Sequence, residues 1–290
     1  MPKTLIDLVQ PERLTEVVDI GANPIDGDPP YKPMLAAGLC RVTGFEPQPA
    51  ALAALEAAKG PYERYLPWAV GDGNVHELKV CRASGMSSLL EPDPENLALF
   101  MTLAAAGEVI QRIPVPTRRL DDIAEVRNLD LLKIDVQGGE YAVFTNGRGR
   151  LADAVAVHTE VSFVTLYRAQ PPFGVIDLEL RQQGFVPHAM TSLKKRPIAP
   201  CVVNGDVNRP LHQLVEADMV YVRNPARARS MTANQLRHLA LIAHYVYGSV
   251  DLVVRCISVL EELKELPNGT HLRYLESPTA LPPPPAYNGP

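Results

Sequence analysis

The chain lacks any cysteine framework. Its four cysteines (Cys40, Cys81, Cys201 and Cys256) lie far apart and form no C-x-x-C pair. That spacing gives neither a zinc site nor a disulfide scaffold, and a reducing cytoplasm suits it best. A basic stripe is also lacking: the formal net charge is −5, with acids and bases mixed along the chain, so nucleic acid is not the expected partner. No apolar stretch approaches the ~20 residues that span a bilayer. The N-terminus has neither the basic start nor the apolar run of a signal peptide. The expectation is a soluble, cytoplasmic protein. No internal repeat argues for a solenoid. What is present is ordinary for a chain that buries a core, with 46% hydrophobic and 21% charged residues. Its 290 residues suffice for one large α/β domain and a smaller appendage.

The first two thirds alternate apolar runs with helical patterns, the mark of a mostly parallel sheet covered on both faces. Strands are expected at Val17–Ile20 and Arg41–Phe45, followed by a helix from Pro49 to Lys59 that Gly60 closes. Tyr65–Val70 reads as a third strand that Pro67 demotes to an edge or a bulge. Val75–Val80 alternates at period two and is expected to extend the sheet edge. The stretch from Ser84 to Ile113, with a helix over Pro94–Ala106, is expected to cap a site. Leu129–Asp135 and Ala154–Val161 read as buried strands and Gly174–Gln183 as a helix. Phe185–Met190 and Asp218–Val222 make a closing strand pair.

After Pro225 two helices follow, Gln235–Tyr247 and Val250–Leu266, joined by Gly248 and Ser249. Leu236, Leu239, Ala240, Ile242, Ala243 and Val246 form the first apolar stripe. Leu252, Val253, Cys256, Ile257, Leu260 and Leu263 form the second. This αα-hairpin either docks on its own domain or serves as a surface for a partner or a homodimer. The expected organisation is a catalytic domain over residues 1–225, the hairpin over 226–268 and a Pro-rich, disordered tail over 269–290.

The chemistry is read from acids at strand ends, because doubly wound sheets bind ligands beyond the carboxyl ends of their strands. Asp19 lies in the first strand, and Gly21 opens a turn with Ala22 and Asn23 where the backbone can approach a ligand. Glu46 ends the second strand, where a carboxylate can accept both ribose hydroxyls. Asp72 follows the third and can accept from an adenine amino group. Together they point to an adenosyl ligand. A nicotinamide dinucleotide is disfavoured: the turn lacks the G-x-G-x-x-G spacing, and Pro24 removes an N–H that a pyrophosphate would use.

These residues resemble the FkbM family of methyltransferases. The matching pieces are residues 17–23, 44–47, 69–72, 87–90 and 115–121 and, most specifically, 131–140, within a likeness covering roughly Glu16 to Arg223. The resemblance implies a seven-stranded Rossmann-like class I methyltransferase fold. It also implies methyl transfer from S-adenosylmethionine, usually to a hydroxyl of a sugar or polyketide-like acceptor. Two positions depart from the family. Pro24 and Ile25 stand where a further glycine is common, which implies a reshaped loop over 24–32 with Tyr31 facing the cofactor. Gln137 stands where the family carries glutamate.

For the chemical step the candidates are Asp135, with Lys133 on the same side of its strand, and His158 and Glu160, which share a face of the next strand. His158 suits a general base by its ordinary pKa, about 6.5; packing as a hydrogen-bonded strand residue is the alternative. Asp135 and Glu160 alone are a weak metal pair, and no metal is expected. Glu140 reads as a favourable first-turn acid. The expected function is O-methylation of a sugar, glycan or related metabolite. Transfer to nitrogen or carboxylate is the alternative, as is a non-catalytic adenosyl-binding module that docks a partner through its C-terminal helices.

Overall fold

The computed structural model describes residues 4–23 and 27–277. The departure at Pro24 and Ile25, and the Pro-rich segment from Leu281, lie outside the described residues. Ten strands follow in chain order: β1 (Thr15–Ile20), β2 (Cys40–Phe45), β3 (Glu63–Leu66), β4 (Ala69–Val70), β5 (Val75–Cys81), β6 (Val109–Arg118), β7 (Leu131–Ile134), β8 (Ala156–Ser162), β9 (Phe185–Arg196) and β10 (Gln213–Arg223). The α-helices are α1 (Leu5–Val9), α2 (Lys32–Ala36), α3 (Pro49–Ala58), α4 (Pro94–Ala98), α5 (Leu103–Ala106), α6 (Glu140–Thr145), α7 (Arg148–Leu151), α8 (Phe173–Gln182), α9 (Ala233–Tyr245), α10 (Val250–Glu262) and α11 (Thr270–Leu275).

Seven strands form the main sheet in the order β3-β2-β1-β7-β8-β10-β9. β3, β2, β1, β7 and β8 run parallel, and β10 is antiparallel to both of its neighbours. This is the seven-stranded, mostly parallel sheet that the resemblance implied. Strand order reverses at β1 and β7, so the crevice beyond their carboxyl ends is the place for a ligand.

Successive residues of the central strands enter opposite layers, as a pleated strand buried on both faces requires. Val17, Leu131 and Ala156 join a core with α1, α2, α9, α10 and α11, whereas Val18, Leu132 and Val157 join one with α6, α7 and α8. The predicted stripes of α9 and α10 therefore cover this chain's own sheet. Two details differ from the expectation: Leu263 is 43% exposed, and Val259 is buried instead. The predicted disordered tail also begins too early. Thr270–Leu275 is helical, and Tyr274 is buried, with its hydroxyl 3.0 Å from His244 Nδ1.

The expected third strand divides at Pro67. β3 ends at Leu66 on the sheet edge, and Ala69–Val70 leaves to pair with β6. Nor does β5 extend the main sheet: it forms a separate three-stranded sheet, β4-β6-β5. Sequence reading missed β6 because Pro114 and Pro116 break it. These prolines lie two apart, so both missing N–H groups fall on one side, opposite the side where Thr117 N donates to Asn74. The helix expected over Pro94–Ala106 is two short helices. The turn between them lets Leu97, Phe100 and Leu103 enter a small core with Met86, Tyr167 and Val215.

Candidate active site

Strand register assembles the site in two rows on the face that α9 and α10 cover. In the inner row Asp19 of β1 pairs with Lys133 of β7, and Lys133 with His158 of β8. The Lys133 ammonium lies 3.2 Å from Asp19 Oδ1 and donates to the Gly21 carbonyl at 3.0 Å. Burial opposes charge on Lys133, but the Asp19 and Asp135 carboxylates outweigh it and raise the pKa. Asp19 also accepts from the Tyr31 hydroxyl at 2.6 Å. Tyr31 is 2% exposed and packs in the core beneath the loop. Contrary to expectation, Tyr31 is not among the residues that line the crevice; it supports Asp19 from the core side.

The outer row is Gly21, Asp135, Glu160 and Asp218. Asp135 N donates to the Ile20 carbonyl at 3.0 Å, and Glu160 pairs with Asp218. Gly21 has φ +80, and a Cβ there would stand 2.0 Å from the Asp135 carbonyl oxygen. Only glycine permits this approach, so the turn after β1 and the end of β7 are pressed together.

A cavity of about 610 Å³ opens above both rows. Asp19, Gly21, Ala22, Asn23, Glu46, Asp72, Lys133, Asp135 and His158 line it, together with Trp68 and residues 84–90. Of the sequence candidates, Glu160 alone lies behind the wall. Glu46 is 3% exposed and accepts from Gln48 N at 2.8 Å and from the Asn23 backbone. A carboxylate offers about four acceptor positions, so capacity remains for a vicinal diol. Burial raises the Glu46 carboxyl. Asp72 is differently placed. Its carboxylate accepts from Asn74 N (2.9 Å), the Asn74 side chain (2.9 Å) and Thr117 Oγ1 (3.2 Å), and lies 2.8 Å from His76 Nε2. Burial pushes it up, but these partners hold it below the usual range. Asp72 thus chiefly builds its own turn. Trp68, with the Arg118 guanidinium 3.6 Å over its ring, forms an aromatic wall beside Phe45.

On the β8 side the candidate acids are tied together by Gln137. Its Nε2 donates to Asp135 Oδ1 at 2.8 Å and to Glu160 Oε1 at 3.3 Å, and its Oε1 accepts from the Tyr167 hydroxyl at 3.1 Å. Gln137 sits at φ +55, followed by Gly138 at φ +96. Ser88 Oγ donates to its carbonyl at 2.6 Å and so joins the cap to this loop. Glu140 is more than a first-turn acid. It is buried, accepts from the backbone of Val136 and Gly138, and is pushed up by burial to about 7.

His158 is neutral at ordinary pH, because burial, aided by Lys133, lowers its pKa to about 4. Its Nδ1 lies 3.3 Å from the hydroxyl of Tyr247, in the turn of the αα-hairpin. Burial, Asp135 and Glu216 push Glu160 upward, while Lys194 at 3.4 Å opposes the shift. Lys194, Glu216 and Asp218, on the antiparallel pair β9 and β10, were missed in the sequence. They reach the site through pairing across the sheet and carry no local motif. No group of three or more metal-binding side chains occurs among the described residues, and no helix there is long and apolar enough to cross a membrane.

Residues 19–187, more than half of the chain, match the FkbM methyltransferase domain family. The chain is 28% identical over 181 residues to the 2-O-methyltransferase NoeI of Sinorhizobium fredii (strain NBRC 101917 / NGR234), a match covering 56% of this chain and 70% of that protein. Similar solved structures include methyltransferase FkbM from Methylobacillus flagellatus KT, at 13% identity and TM-score 0.36, covering 76% of this chain and 50% of that one. Another is magnesium protoporphyrin IX methyltransferase from Synechocystis PCC 6803 with bound SAM, at 12% identity and TM-score 0.37, covering 73% and 71%.

Proposed function

The chain belongs to the FkbM family of S-adenosylmethionine-dependent methyltransferases, and we propose that it methylates a hydroxyl of a sugar, glycan or related metabolite. The observation that carries this reading is the meeting of Glu46, Gly21 and Asp135 on one cavity at the switch point of the sheet. The name of the 2-O-methyltransferase relative supports the same acceptor atom.

The residues present fit the donor. Glu46 has acceptor capacity for the ribose hydroxyls, and the acids lining the cavity complement a sulfonium. When bound, the donor supplies an electrophilic methyl group with a good leaving group. The chain's own residues then have to align the acceptor and take its proton. Lys133 holds the Gly21 turn through its carbonyl while neutralising Asp19. Asp135 lines the cavity against that turn and receives the hydroxyl proton, its Oδ1 held by Gln137. His158, neutral and anchored on Tyr247, orients the hydroxyl from the row below.

Calorimetry with S-adenosylmethionine and S-adenosylhomocysteine tests the donor site. Both bind the wild type, and Glu46→Ala weakens binding by about 10- to 100-fold, the loss expected for hydrogen bonds to a charged group. No heat of binding would overturn the reading. Labelled donor incubated with cell extract, then fractionated, places the label in the glycan or sugar pool; label confined to protein or amines would replace O-methylation. Asp135→Asn lowers kcat at least ~100-fold and His158→Ala less than ~10-fold. The reverse order would make His158 the base.

A further inference from the structure

Past Ser84, Met86 and Leu103 the donor cavity continues into a second groove of about 890 Å³, and Lys194 and Arg196 line both. The two differ in charge. The inner cavity is mixed, with Asp19, Asp28, Glu46, Asp72, Asp135, Glu216 and Asp218 beside Lys133, Lys194 and Arg196. The charged residues of the outer groove are Arg82, Lys194, Lys195 and Arg196, and none of its lining residues is acidic.

The partners of these cations differ. Arg82 pairs with Glu108 at 2.6 Å, and Lys194 reaches Glu160 and Glu216. Arg196 instead has its Nη1 2.7 Å from Asn208 Oδ1 and 3.4 Å from Thr102 Oγ1, both neutral. Among the described residues neither Arg196 nor Lys195 forms an ion pair. Arg196 is only partly exposed, and its charge acts on Glu216 without a direct contact, so its guanidinium keeps N–H donors beyond those turned to Asn208 and Thr102.

The backbone also shapes this wall. β10 carries an irregularity between Leu214 and Glu216, which pair with Lys195 and Lys194 respectively. The extra residue, Val215, turns into the core beneath the cap, and its carbonyl accepts from Phe163 and Val164. A bulge of this kind re-aims neighbouring side chains. Arg196 then stands about 7 Å further along β9 than Lys194, at the usual rise of two strand residues.

We propose that the outer groove is an anion subsite for the acceptor, which is a sugar derivative bearing a phosphate or carboxylate. The anionic group sits on Arg196, on the same face of β9 as Lys194, while the hydroxyl to be methylated points to Asp135. The guanidinium presents paired N–H donors suited to such an oxyanion. This rests on the O-methylation reading and names the class of acceptor within it.

The test is calorimetry on the protein loaded with S-adenosylhomocysteine, using glucose, glucose 1-phosphate, glucuronate and inorganic phosphate as probes. At least one anionic probe binds 10-fold or more tightly than glucose at low salt, and the two sugar acids show whether phosphate or carboxylate is preferred. The preference is lost in Arg196→Gln and kept in part by Arg196→Lys, with S-adenosylhomocysteine still bound by both. The subsite is overturned if glucose binds as well as the anionic probes, if no anionic probe binds at millimolar concentration, or if Arg196→Gln keeps the preference. If S-adenosylhomocysteine itself does not bind, the underlying methyltransferase reading fails instead.

Discussion

Gln137 decides how two carboxylates coexist at the end of the sheet. Its amide donates to both Asp135 and Glu160, so the acids share a neutral partner and need no cation between them. Gln137→Glu would place a third carboxylate among them, and like charges at that distance raise one another's pKa. The variant is expected to lose kcat about 10-fold or more and to melt lower than wild type, with the deficit widening from pH 6 to pH 8 as the added acid ionises. An equal melting temperature at both pH values would refute the bridging role. The sequence showed that position 137 departs from the family, but only the fold shows what the amide touches. Asp135, Lys133 and Glu46 could be placed on the cavity from the sequence because each stands at or next to a strand end that its own hydrophobic run defines, and His158 because it lies within the buried run of β8. Lys194, Glu216 and Asp218 were not, since their place depends on how β9 and β10 pair with β8.

Among the elements, the αα-hairpin was legible from its two apolar stripes except at its ends and at Leu263, where Val259 is buried instead, and its partner is the chain's own sheet. Thr232 and Gln235 form a capping box at the start of α9 that could have fixed the boundary from the sequence alone. Leu239 and Ile257 are fully buried within the layer that also holds Val17 and Leu131. Leu239→Ala is therefore expected to cost about 2–5 kcal/mol, measured by denaturant unfolding. A chain cut after Pro225 should fail to show a cooperative transition, and a stable truncated monomer would make the hairpin a separate unit. β6 shows the opposite case. Two prolines hide a strand because a period-two pattern says nothing about which N–H groups the neighbouring strand needs.

Across the whole molecule, buried titratable groups set opposing pH responses. His158 and His238 are both pulled down by burial to about 4, so folding holds them neutral. Their contribution is present above about 6.5 and is lost as pH falls towards 4, by ~3 kcal/mol each at most. Glu140 works the other way. Its carboxyl is raised to about 7, so its contribution is present below about 4.5 and is lost as pH rises through 7. Between pH 4.5 and 6.5 these slopes partly cancel. Relative to wild type, Glu140→Gln should steepen the fall in melting temperature on acidification and His238→Gln should flatten it; identical slopes in all three proteins would refute the assignment. The topology also bears on how the protein is made. α9 lies against α1, and Arg237 donates to the Val9 carbonyl at 2.9 Å, so the last helices seal the first strand. At ~5–20 residues per second a ribosome needs on the order of tens of seconds between releasing β1 and releasing α10. Throughout that interval only α1 and α2 are available to cover that side of the nascent sheet, and the apolar surface that α9 and α10 will bury stays open.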